Sequence, residues 1–182
     1  MIIVEDFVKM KNSKEREVLS KMDADQSVRI ARLYLEMFNK LMIYARVGLD
    51  NEALAEEAVQ ETFRIACQKP EMLLESPNPQ GWLVLTLRNT IRNIKSNQAS
   101  ARRIIERYLV PQITEISTLE DGVNLRVLYE NIADTEEFKL LAEMAIEGKS
   151  HAEMAKARGI SVNACKKRVQ RAKEKLQQKI ER

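Results

Sequence analysis

The stretch GISVNACKKRVQRAKEKL, Gly159–Leu176, joins a continuous apolar seam to a dense run of positive charge. Val162, Cys165, Val169, Ala172 and Leu176 recur at alternating steps of three and four, which places them on one face of a helix. Asn163, Lys166, Lys167, Gln170 and Arg171 point away from that seam, and Arg168 adds to the charge. The seam therefore needs an apolar partner within the protein. The opposite face suits something negative.

The residues before this helix supply the partner. Ser150 followed by Glu153 has the spacing of a capping box, so a short helix starts there and ends near Arg158, with Gly159 as a tight turn. Upstream, Asp134 followed by Glu137 predicts another capped helix, running to Glu147 and stopped by Gly148. A short helix, a glycine turn and a longer basic helix form a helix-turn-helix. Met154 and Ala155 would pack on the seam, and the small Ala155 permits a close crossing. The outward side chains would then enter the major groove. There Arg and Lys hydrogen-bond guanine, Asn and Gln read adenine, and the remaining cations hold phosphates. The competing reading is a solvated basic face on a helical hairpin. Caps, turn, seam and charge together favour DNA.

Ahead of this region the pattern stays helical. A first helix is expected at Lys14–Met22 and a second from about Ser27 to Val47, with Ile30, Leu33, Leu41 and Tyr44 inward, Met37 and Phe38 between them, and Gly48 as its stop. Asn51 can cap a third helix reaching about Gln68, with Glu56, Glu57, Gln60 and Glu61 on its polar side. The run Lys69–Gln80 holds three of the four prolines and reads as an extended loop. From Gly81 to Asn97, Leu83, Leu87, Ile91 and Ile94 face inward while Arg88, Arg92 and Lys95 form a basic row. Periodicity weakens from Gln98 to Gly122, which contains Pro111, although Arg102–Leu109 keeps some helical character. The expected organisation is all-α: an N-terminal helical domain over 1–97, a linker over 98–122, and a C-terminal helix-turn-helix domain over 123–182.

Composition narrows the function. Of 182 residues, 31% are charged and 5% aromatic, with no alternating strand pattern, which suits helices. The net charge of +3 is modest but uneven: nine Lys or Arg against two Glu from Arg158 onward, and five acids with no base between Asp50 and Thr62. Cys67 and Cys165 are far apart and His151 is the only histidine, so a metal site with about four such ligands is not expected, and no cofactor is. The thiols read as small apolar residues in a reducing cytoplasm. The apolar start at Met1–Val4 is ended by Glu5 and Asp6, so no signal peptide is expected. No run approaches the ~20 apolar residues of a membrane span. Neither a Ser/His/Asp set, a phosphate-cradling glycine loop nor paired catalytic carboxylates is visible, so catalysis has no support.

Two stretches, AEEAVQETFRIA at Ala55–Ala66 with GWLVLTLRNTIRN at Gly81–Asn93, and EGKSHAEMAKARGISVNACKKRVQRAKEKL near the C-terminus, resemble the two-domain bacterial RNA polymerase sigma factors of the extracytoplasmic-function type. Glu57, Val59, Gln60, Glu61, Phe63, Trp82, Leu83 and Asn89 follow the family pattern in order. Val84, Leu85 and Ala164 depart from it, standing where the family often has an aromatic, an arginine and a threonine. The resemblance implies a promoter-recognition subunit that joins the polymerase core. Its minus-thirty-five contacts would be Asn163, Lys166, Lys167, Arg168, Gln170 and Arg171. Arg88, Asn89, Arg92, Asn93 and Lys95 would hold the minus-ten strand, with Asn78 in a base-capturing loop. Arg46, Glu57, Gln60 and Glu61 would dock on the clamp of the largest core subunit. An anti-sigma factor is a further candidate partner. The alternatives are a dimeric operator-binding regulator and a helical interaction protein.

Overall fold

The computed structural model describes residues 23–117 and 135–181. Among them every regular element is α-helical: α1 (Ala24–Leu49), α2 (Glu52–Gln68), α3 (Pro70–Leu74), α4 (Pro79–Ser117), α5 (Glu136–Ala145), α6 (His151–Ala157) and α7 (Val162–Ile180). The chain divides into two compact units, Met1–Asn93 and Ile94–Arg182. The helix expected at Lys14–Met22 and the cap expected at Asp134 lie outside the described residues.

In the first unit, local chemistry sets where helices begin. Asp23 accepts from the Gln26 N–H at 2.7 Å while Gln26 Oε1 accepts from the Asp23 N–H, so a capping box opens α1 three residues before the predicted start. The helix continues past Gly48 and is ended by Asp50, whose φ of 48° puts it in the left-handed region. Gly48 serves packing instead: a Cβ there would lie 3.2 Å from Ile91 Cδ1. Ile30, Met37, Leu41 and Ala45 are buried, and Tyr44, expected inward, is exposed. Tyr34 bridges α1 to α2, its ring 4.7 Å from that of Phe63. Asn51 caps α2 as expected, accepting from the Leu54 N–H at 2.9 Å.

The proline-rich run differs from the extended loop expected of it. Pro70 opens the short helix α3, whose Leu73 is fully buried, and Pro79 opens α4. Proline is preset for a first helical position, where the missing N–H costs nothing. Leu83, Leu87 and Ile91 then carry the inward face of α4.

The second unit is built around α5, α6 and α7 with the later part of α4. Residues 98–117, expected within the linker, are helical. Ala101, Ile104 and Ile105 join Phe138, Leu141, Met154, Cys165, Val169, Ala172 and Leu176 in one core. The steps 101, 104, 105 and 108 are those of a helix face, and burying that face stabilises a helix that weak periodicity had obscured.

Candidate nucleic-acid interface

The turn before α7 is fixed by backbone bonds. Ser150 and Glu153 make the expected capping box: the Ser150 N–H donates to Glu153 Oε2 at 2.9 Å, and the Glu153 N–H donates to Ser150 Oγ at 3.2 Å. At the other end of α6, the Gly159 N–H donates to the Lys156 carbonyl and the Ile160 N–H to the Ala155 carbonyl, the paired bonds of a Schellman motif. Gly159 has φ of 61°, with open space around a would-be Cβ, so glycine is needed there for its backbone freedom. Ser161 then caps α7 through the Ala164 N–H at 3.2 Å.

Sequence reasoning missed a clamp behind this turn. The Arg158 guanidinium donates from Nη1 to Glu143 Oε2 at 2.9 Å and from Nη2 to Oε1 at 2.8 Å, a two-pronged pair tying α5 to the end of α6. That hydrogen bonding, with the adjacent charge, holds the Glu143 carboxyl below the usual carboxylate range. Spacing offered no signal for it, because the partners are 15 residues apart.

With the seam of α7 packed, its outer face stands in solvent. Cys165, Val169, Ala172 and Leu176 are buried as predicted, but Val162, the first residue of α7, is exposed. Asn163, Lys167, Arg168, Gln170 and Arg171 are exposed and Lys166 is half-buried. Gln170 donates to Glu174 at 2.8 Å. Among the described residues, Lys167, Arg168 and Arg171 make no side-chain hydrogen bond or ion pair. Five arginines elsewhere are paired with carboxylates: Arg29 with Asp25, Arg46 with Glu52, Arg64 with Glu61, Arg102 with Glu106 and Arg158 with Glu143. Leaving three neighbouring cations unanswered on one face suits a polyanion.

The basic row of α4 behaves likewise. Arg88, Asn89, Arg92, Asn93 and Lys95 are all exposed, and none has a side-chain partner among the described residues. From Ser76 to Ile105 the chain carries five Lys or Arg and no acid, a second signal the sequence held. Asn78 is already employed: its Oδ1 accepts from the Gly81 N–H at 2.8 Å, capping α4. Its side chain folds so closely over Gly81 that a Cβ there would lie 2.6 Å from Asn78 Nδ2.

The predicted docking residues are not one open surface. Glu57 is buried, because α2 is enclosed around most of its circumference, with nine of its 17 residues buried. It is therefore not part of an exposed acidic face. Glu61 is half-buried and held by Arg64 Nε at 2.9 Å. Glu56 and Gln60 are exposed. Arg46 is exposed and donates from Nε to Glu52 at 2.6 Å, beside an apolar end of α1 where Ile43 and Val47 are 63% and 84% exposed.

Both cysteines are buried, and burial pushes the Cys67 thiol up to about 11. Among the described residues no group of ligands could hold a metal ion, and no helix is long and apolar enough to cross a membrane.

Comparison with known proteins gives one finding: residues 136–176 match the family model for sigma-70, region 4. The matched span holds α5, α6 and most of α7, so it coincides with the capped turn and the unanswered cations. No curated protein and no solved structure matches the chain.

Proposed function

We propose that this chain, a sigma-70 family member by its region 4 domain, is a promoter-recognition subunit of the extracytoplasmic-function type that brings core RNA polymerase to its start sites. One observation carries the reading. Among the described residues two helix faces, one on α7 and one on α4, present cations without side-chain partners (Lys167, Arg168 and Arg171; Arg88, Arg92 and Lys95), whereas Arg46, Arg64 and Arg158 are each paired with a carboxylate. A duplex-reading module and a strand-holding module would each need such a face.

On this reading α7 enters the major groove of the minus-thirty-five element. Asn163, Lys166, Lys167, Arg168, Gln170 and Arg171 supply base-edge and phosphate contacts, and affinity falls steeply with salt. Arg88, Asn89, Arg92, Asn93 and Lys95 hold the minus-ten strand once it opens, and the absence of acid along that stretch removes repulsion from phosphates. Asn78 keeps its capping bond and offers Nδ2 to a flipped base. Docking on the clamp of the largest subunit uses Gln60, Glu56 and the Arg46 end of α1, whose apolar side chains suit a protein partner.

The chain itself performs no bond chemistry on this reading. It lowers the cost of finding and opening a promoter by differential binding, and the polymerase supplies catalysis. The test is transcription with purified core on a fragment library, followed by start-site mapping. Starts preceded by shared minus-thirty-five and minus-ten elements are expected. Failure of holoenzyme to form at micromolar mixing overturns the reading, and tight binding to a palindromic duplex without core would identify a regulator instead.

A further inference from the structure

The outer face of α7 is ordered as well as charged. Asn163, Lys167, Gln170 and Glu174 follow one another at steps of four, three and four, so they form a single row, and all four are exposed. At ~100° per residue the row stands opposite the seam of Cys165, Val169, Ala172 and Leu176, with Lys166 about 70° to one side and Arg171 about 70° to the other. Arg168 lies further round on the Arg171 side. The major groove, ~12 Å wide, admits such a helix between two phosphate walls. A row flanked by cations suits the groove floor, where the base edges are, while its flanks reach the walls.

Glu174 is out of keeping with this face. It is the one acid in α7, against seven Lys or Arg, and a carboxylate beside phosphates repels them. It makes no ion pair among the described residues, although Arg171 stands three positions earlier on the same helix. Its partner is neutral: Gln170 Nε2 donates to Glu174 Oε1 at 2.8 Å. In water an exposed bond of this kind adds little to a helix. What it fixes is direction. An ionised carboxylate only accepts hydrogen bonds, so the amide must turn its nitrogen toward Glu174 and its oxygen away. Gln170 is left with Oε1 as an acceptor beside one N–H as a donor. Adenine presents the complement in the major groove, its N6 amino group as donor and N7 as acceptor. Without the carboxylate the amide is free to turn end for end, which inverts the pattern.

We propose that Glu174 is a positioning residue for promoter reading, which holds the Gln170 carboxamide in the orientation that selects adenine. The inference rests on the promoter-recognition reading. A duplex covering the row excludes water, and the bond between Gln170 and Glu174 strengthens there. Glu174 thus lowers attraction for DNA in general and raises discrimination at one base pair.

The test is selection by holoenzyme, the full chain with purified core, from fragments randomised across the minus-thirty-five element. Wild type, Gln170→Ala, Glu174→Ala and Glu174→Gln are compared by sequencing what each retains. Wild type should favour adenine at one base pair about fivefold or more, and Gln170→Ala should show no preference there. Glu174→Ala should lower the adenine preference about threefold or more at that same pair, with other positions unchanged. Glu174→Gln should keep the preference, because the new amide still accepts through its oxygen. Both Glu174 variants should bind an unrelated duplex more tightly than wild type and by the same factor, since each removes one negative charge. An adenine preference untouched by Glu174→Ala overturns the proposal. So does relaxation at a different pair from that of Gln170→Ala, or equal relaxation in Glu174→Gln, where charge and not the bond would decide. A wild-type chain that selects no sequence with core sinks the promoter reading and the positioning role together. Sequence selection by wild type with any of the three overturning results sinks the positioning role alone.

Discussion

Helices α7 and α2 treat their charges in opposite ways. On the outer face of α7, Lys167, Arg168 and Arg171 have no side-chain partner among the described residues. On α2, Glu61 is gripped by Arg64 and Glu57 is buried. A charge that is already answered gains little from an outside partner, because the new contact must first replace the old one. An unanswered charge gives up only water and counterions, and their release favours binding to DNA. The contrast separates charges that hold the fold from charges kept for a partner.

Reversing two unanswered charges should have the largest effect. Arg168→Glu with Arg171→Glu is expected to weaken minus-thirty-five binding about a hundredfold or more and to flatten its salt dependence, read by fluorescence anisotropy across a salt series. Both positions are exposed, so circular dichroism should report an unchanged helix content. Retained affinity would break the comparison at its centre.

Removing an answered charge should do the reverse. Glu143→Gln leaves Arg158 without its carboxylate and should cost about 1.5–3 kcal/mol of unfolding free energy, measured by denaturant melts, with the outer face of α7 intact. The pH dependence has a defined sign. The folded-state pKa of Glu143 lies below its unfolded value of ~4.3, so its contribution is complete above that pH and is lost as pH falls through the folded value. The gap between wild type and Glu143→Gln should therefore narrow in acid.

Gly159→Ala sharpens the comparison by touching no charge at all. Its expected cost is about 1–2 kcal/mol, from left-handed strain alone, visible as a lower Tm. The smallest effect belongs to Gln60→Ala, expected to weaken core binding by less than about tenfold in a pull-down titration, with DNA affinity unmoved.

Much of this was legible in the sequence where the determinant is local. The Ser150 and Glu153 box, Gly159 and the seam from Cys165 to Leu176 depend on neighbours within one or two turns, and the structure has them as read. Glu57 was misjudged because helical spacing cannot say how many sides of a helix are covered. Arg158 with Glu143, and Lys173 with Asn97, join residues far apart in sequence, so no pattern announces them. The helix through 98–117 did carry a signal at Ala101, Ile104 and Ile105. Pro111 drew attention away from it, yet α4 runs past that proline to Ser117.

The narrow space between Gly48 and Ile91 Cδ1 links the ways in which these two positions can change. A methyl group at 48 would require the end of the Ile91 side chain to give way by a few tenths of an ångström. Changes at the two positions should therefore be coupled, a larger residue at 48 being better tolerated beside a smaller one at 91.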